Sequence, residues 1–260
     1  MTTSQTYPRM AFCSAITPAE PEHYLNLRKA GIDTASVCLH VSGFEYYKFA
    51  TIHTKLARKA DLVTHAFMIT DLLDPLADVT LFIKRFNKLG YDPNAKITVW
   101  VNSDKYVDNR ESKIIKIIDL LAKCHNREFI DLAFFKRDID EELYDLSKMP
   151  QMINLTIINC EGTGAGIDVA GTWVYTMDFC NEVQVLGYDY YGYYTDDAGY
   201  QLSLVDTDYV VQEGDTWYSI SRRHGIPMND LLTLNRAIET EKCICRTDCP
   251  HCIVFCSWGA

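Results

Sequence analysis

Short apolar runs alternate with amphipathic stretches through most of this chain. The run MAFCSAI (Met10–Ile16) is followed by PAEPEHYLNLRKAG, in which apolar residues recur at helical intervals until Gly31 supplies a stop. A short apolar run bounded by turn residues is a strand signal, and the 3.6-residue period that follows is a helix signal. The pair then repeats: DTASVCLHV with a helix over 44–60, LVTHAFMIT with one over 75–89, KITVWVN with one over 109–125, and FIDLAFF with one over 141–148. Three more strands, INLTIINC, GTWVYTM and EVQVLGYDYYGYY, follow with little helix between them. Strands alternating with helices predict an α/β fold with a parallel sheet, and eight strands close a TIM-like (β/α) barrel. An open doubly wound sheet is the alternative.

In a barrel of this kind, reacting groups collect where the parallel strands end. Asp71, Asp104, Asp138, Glu161 and Asp178 follow strands three to seven in that position. Each taken alone reads as a helix cap or a solvated loop acid. Together they can supply the two carboxylates that glycoside hydrolysis requires, one as acid and one as base or nucleophile. The segment GYDYYGYYTDDAGY adds Tyr188, Tyr190, Tyr191, Tyr193 and Tyr194. These rings offer stacking faces for sugars, or else they belong to a closing strand packed against the barrel.

Composition narrows the partners. Hydrophobic residues make up 48% of the 260 and charged residues 23%, enough apolar material for a sizeable core. A formal charge of −10 argues against a grip on nucleic acid, which relies on Lys and Arg at phosphates. No apolar run is long enough to span a bilayer, and the N-terminal residues lack the basic and apolar regions of a signal peptide. The expectation is synthesis in the cytoplasm and delivery by lysis or on a particle. Cys13, Cys38, Cys124, Cys160 and Cys180 fall mostly in apolar contexts and read as core thiols. The seven His residues show no metal-ligand spacing, and GTGAG (Gly162–Gly166) is not followed by the helix and Lys-Ser/Thr pair of a phosphate loop. No metal and no cofactor are expected.

Near the C-terminus, DYVVQEGDTWYSISRRHGIPMNDLLTLNRA (Asp208–Ala237) has a strand, an EGDT turn, a helix stopped by Gly225 and a second helix beginning at Pro227. Gly214 permits a positive-φ turn, and Asp215 or Thr216 can cap the first helix. This stretch resembles a LysM domain, a βααβ module that binds glycans containing N-acetylglucosamine, such as peptidoglycan. The resemblance implies a sugar groove at Gly214, Asp215, Thr216, Trp217, Ile226, Pro227 and Met228. It also divides the chain into a barrel over 1–205 and a module with a Cys-rich tail over 206–260.

A barrel joined to a LysM module resembles endolysins and autolysins, particularly muramidases of glycoside hydrolase family 25. GIDTAS (Gly31–Ser36) is similar to the GIDVS opening of that family, which implies Asp33 as a catalytic-site acid. VWVNSD (Val99–Asp104) resembles its W-x-D-x-E segment, with Trp100 matching, Asn102 in place of the Asp and Asp104 in place of the Glu. The function these resemblances imply is lysozyme-like hydrolysis of peptidoglycan, with Asp104 as acid and Asp33, Asp71 or Glu161 as its partner. A non-catalytic wall-binding or phage structural protein is the alternative. The tail holds Cys243, Cys245, Cys249, Cys252 and Cys256, for which zinc, disulfides, redox chemistry or no chemistry stay open. A LysM module also needs a closing strand, and KCIC or CIVF must provide it.

Overall fold

The computed structural model describes residues 7–102, 104–150, 153–195, 209–210 and 253–254. Five strand–helix pairs come first: β1 Arg9–Cys13 and α1 Pro21–Lys29, β2 Thr34–Val41 and α2 Phe49–Lys59, β3 Val63–Thr70 and α3 Pro75–Lys88, β4 Ile97–Val101 and α4 Arg110–Leu121, β5 Ile130–Phe135 and α5 Lys136–Asp140. Strands β6 Asn154–Ile158, β7 Thr172–Phe179 and β8 Glu182–Asp189 follow, with no α-helix after α5 among the described residues. All eight close into one barrel in sequence order. In β2 every residue from Thr34 to His40 is buried. Such unbroken burial arises because the barrel interior covers one face of the strand and helices cover the other.

The barrel departs from an all-parallel TIM arrangement at its seam. Strands β1 to β7 run parallel, but β8 pairs antiparallel with both β7 and β1. Only Cys180 and Asn181 separate β7 from β8, at φ 56° and 65°. Two consecutive residues with positive φ make a tight hairpin of the I′ kind, whereas a parallel return needs a crossover of about a dozen residues. The β6–β7 connection, residues 159–171, has that length and stays parallel without a helix. Its GTGAG stretch is drawn tight, with Asn159 Nδ2 donating to the Gly164 carbonyl at 2.8 Å.

The helix expected over 141–148 is also displaced. Helix α5 starts directly behind β5 and ends at a left-handed Glu142, φ 56°, where the Leu143 amide donates back to the Asp138 carbonyl at 2.9 Å. That stop halts the helix, and only a 3-10 turn, Leu146–Lys148, follows. Cysteine burial divides likewise. Cys13 and Cys38 are core thiols pushed up to about 12 by burial, while Cys124, Cys160 and Cys180 are exposed.

The tyrosine-rich segment closes the end of the barrel where the parallel strands begin, and Tyr191, Tyr193 and Tyr194 are buried rather than offered to sugars. Asp189 accepts from the amides of Tyr193, Tyr194 and Thr195 at 3.1, 2.8 and 2.9 Å and so folds the chain under the barrel. The Tyr194 hydroxyl then reaches Asp131 at 2.5 Å and Thr98 at 2.7 Å. Asn154 Nδ2 and the Thr156 hydroxyl also donate to Asp131, at 2.6 and 2.8 Å. His65 receives the Lys96 amide on Nδ1 and donates from Nε2 to the Tyr194 carbonyl, the pattern of a neutral ring.

Apart from the barrel, β9 Tyr209–Val210 pairs antiparallel with β10 Ile253–Val254. Ile253 and Val254 of CIVF therefore pair with this strand, and KCIC lies outside the described residues. The five tail cysteines and the residues between these two strands lie outside the described residues.

Burial raises Asp131 to about 7 from 3.8, its hydrogen bonds offsetting only part of the effect. The folded chain holds this proton more tightly than the unfolded one, so the Asp131 contribution to stability falls as pH rises from about 4 to about 7. His53 and His65, pushed down to about 4 by burial, act in the opposite sense: their contribution is lost as pH falls from about 6.5 to about 4. Comparison with Asp131→Asn isolates the carboxyl. The stability difference, wild type minus variant, is expected to fall with pH by up to about 1.4 kcal/mol per unit between about pH 5 and 7, read by urea unfolding. A difference that is flat or rises with pH contradicts the protonated floor.

Candidate active site at the barrel mouth

At the ends of the parallel strands the barrel opens into a cavity of about 300 Å³. Trp100, near the end of β4, forms the centre of its wall. The ring centres of Phe12, Phe67 and Phe135 lie 5.7, 5.8 and 6.0 Å from that of Trp100. This arrangement follows from the pleat: alternate residues of adjacent strands point inward, and the registry of Phe67, Ile69 and Trp100 on β3 and β4 places their side chains around one opening. Against these apolar walls stand four polar groups, Ser14, Asn102, Asp104 and Arg137. Asp104 is exposed, and its amide donates to Asn102 Oδ1 at 3.2 Å, while the Asn102 amide continues the strand ladder to the Thr70 carbonyl at 2.8 Å. That turn carries the chain out of β4 with Asp104 at the rim.

The other acids named from sequence divide. Asp71 leaves β3 on the same rim but lines an adjoining cavity of about 390 Å³ with Ser42 and Lys105. Burial raises its carboxyl, but Lys105 Nζ at 2.6 Å, the Leu73 amide and Ser42 outweigh burial and hold it below the usual range. Glu161 follows β6 on the same rim, exposed, and is not part of the wall of the mouth cavity. Asp33 is not at the mouth. It immediately precedes β2, at the opposite end of the barrel, and makes an exposed ion pair with Arg28. The GIDTAS stretch enters a strand here, so its acid arrives on the wrong side. Asp138 is buried under Arg137, and Asp178 is exposed near the β7–β8 hairpin.

Among the described residues, therefore, one carboxylate lines the mouth cavity. A search of the sequence for acids alone missed Ser14 and Arg137, although each lies within two residues of the end of its strand, β1 or β5. No group of His, Cys, Asp and Glu suited to a metal ion occurs among the described residues.

Residues 209–242 match the LysM domain family, so the chain carries a LysM domain there. All seven groove residues named above fall inside that match but outside the described residues. No curated protein sequence matches the chain. Solved structures match the barrel. The catalytic domain of an endolysin from a Listeria monocytogenes bacteriophage superposes with a TM-score of 0.61 and 13% identity, over 76% of this chain and all of that one. A glycosyl hydrolase 25 of Streptococcus pneumoniae gives 0.56 and 13%, over 70% and 86%. A family GH25 lysozyme from Aspergillus fumigatus gives 0.56 and 9%, over 70% and 94%. The barrel has the fold of these three proteins.

Because Asp33 sits in an exposed pair away from the mouth, Asp33→Ala is expected to change stability by less than about 1 kcal/mol. Release of reducing ends from cell walls is expected to stay within about twofold of wild type. A tenfold loss in that assay contradicts the separation of Asp33 from the site.

Proposed function

We propose that this chain is a peptidoglycan-targeting, lysozyme-like protein whose LysM domain holds it to the wall while the barrel mouth works on the glycan. The observation that carries the reading is Asp104, a carboxylate at the rim of an aromatic-walled cavity, on a barrel of lysozyme fold followed by a LysM domain. Trp100 gives a sugar ring an apolar face, and Asp104 is the general acid at the glycosidic oxygen. Asp71 is the partner favoured by electrostatics, because Lys105 and the surrounding donors keep it ionised and able to act as base. Glu161 is the alternative partner on the same rim. In the LysM domain, Gly214, Asp215, Thr216, Trp217, Ile226, Pro227 and Met228 contact N-acetylglucosamine-containing chains. Tethering raises the concentration of glycan at the mouth without any added contact there.

That Asp104 alone, among the described carboxylates, lines the cavity favours a second reading, in which the barrel grips glycan without cutting it and the chain is a wall-binding component. The two readings share a place of action at the bacterial wall, reached by lysis or on a phage particle. No described helix is long and apolar enough to cross a membrane.

Two measurements test this reading. Wild type is expected to clear a wall suspension and release reducing ends, and Asp104→Asn to lose about a hundredfold or more of that rate; wild type that pellets with walls and releases nothing supports the binding reading instead. A chain ending at Val205 is expected to pellet with peptidoglycan far less than the full chain, and equal pelleting rejects tethering by the LysM domain.

A further inference from the structure

Arg137 stands in the first turn behind β5 and lines the mouth cavity. Its Nε donates to Asp138 Oδ1 at 3.2 Å, and its guanidinium carbon lies 5.1 Å from the centre of the Phe135 ring. These contacts orient a side chain that is 68% exposed, and among the described residues nothing accepts from its two terminal nitrogens. Asp104 lines the same cavity, and no ion pair joins the two within the described residues. Among neighbouring cations, Lys105 is paired with Asp71 and Lys136 with Asp140, while Arg110, which does not line this cavity, donates from Nη2 to the Lys105 carbonyl and leaves Nη1 without a partner among the described residues.

A planar guanidinium with two unused donors, held at an apolar cavity, is suited to bidentate capture of a carboxylate brought by the ligand. Resting on the glycan reading of the mouth, we infer that Arg137 determines specificity by binding a carboxylate on the sugar chain. The cavity then selects acidic, lactyl-substituted amino sugars of the peptidoglycan type over neutral chains of N-acetylglucosamine. The carboxylate belongs either to the lactyl arm or to the peptide joined to it, and the two sources present the same chemistry at different reach.

Trp100 lines the cavity and reports its occupancy. The full chain is prepared with 5-fluorotryptophan, and the fluorine signal of Trp100, one of four tryptophans, is assigned by its loss in Trp100→Phe. Three soluble ligands are titrated: chitobiose, the N-acetylglucosaminyl-N-acetylmuramic acid disaccharide with a free lactyl acid, and the same disaccharide bearing a stem dipeptide. At the Trp100 signal, at least one acidic disaccharide is expected to bind about tenfold or more tightly than chitobiose, and whichever holds the advantage identifies the source of the carboxylate. Arg137→Met is expected to bring that ratio to within about twofold of unity, with Arg137→Lys intermediate because it keeps the charge and loses the fork. A ratio is read, so general loss of affinity does not imitate the result.

A preference that survives in Arg137→Met, or wild type that binds all three ligands equally at Trp100, overturns the inference. If no ligand moves the Trp100 signal while that of Trp217 responds, the mouth is not the glycan site and the inference falls with that reading. A preference that collapses as expected in a chain that releases no reducing ends supports the role of Arg137 and rejects hydrolysis alone.

Discussion

One antiparallel strand holds the mouth in place. β8 pairs Val185–Tyr188 with Phe12–Arg9 of β1 on one side and Glu182–Asp189 with Phe179–Thr172 of β7 on the other. Without it both neighbours would expose unpaired backbone edges, and no ring of strand ends would exist to collect side chains from β1, β4 and β5 around one opening. The direction of β8 matters as much as its presence. Because it runs against its neighbours, it begins near the mouth, where Val185 contributes to the cavity wall, and finishes at the far end, where Asp189 turns the chain beneath the barrel. The floor network of Tyr194, Asp131, Thr98 and Thr156 is the direct consequence of that reversal.

The two ends of the barrel thus treat carboxyl groups differently. At the floor, Asp131 is wholly enclosed, and desolvation dominates even though several donors point at it. At the rim, Asp71 remains partly solvated beside Lys105, and donors win over burial. Of these two, only Asp71 stays ionised and open to solvent. In the proposed reading, a cavity of about 300 Å³ contacts few sugar units and gives the barrel little hold on an insoluble wall. The same reading assigns that retention to the LysM domain on the same chain.

Much of the fold was legible because burial on both faces makes parallel strands read as unbroken apolar runs. All eight runs became strands, and their order around the barrel is the order along the chain. The reversal of β8 was legible too, in retrospect: two residues, Cys180 and Asn181, cannot carry a parallel crossover, and counting them would have shown a hairpin. The tyrosines stayed open between sugar-stacking faces and a closing strand, and the buried Tyr191, Tyr193 and Tyr194 follow the second reading, because side-chain type says nothing of which end of a barrel a residue occupies. Asp33 misled for a related reason, since a motif fixes local residue order and not whether the chain is entering or leaving a strand. Asp104 was found by its position after a strand. Arg137 and Ser14 share that position and were passed over because only acids were sought.

The claim on which the functional reading rests is that glycan occupies the mouth of the barrel. A crystal structure of the Asp104→Asn variant of the full chain, soaked with a peptidoglycan-derived tetrasaccharide, tests it most directly. Sugar density packed on the Trp100 face, with a glycosidic oxygen within hydrogen-bond reach of residue 104, is the expected result. Density confined to the LysM domain, with the cavity between Trp100 and Arg137 holding solvent at saturating ligand, contradicts it.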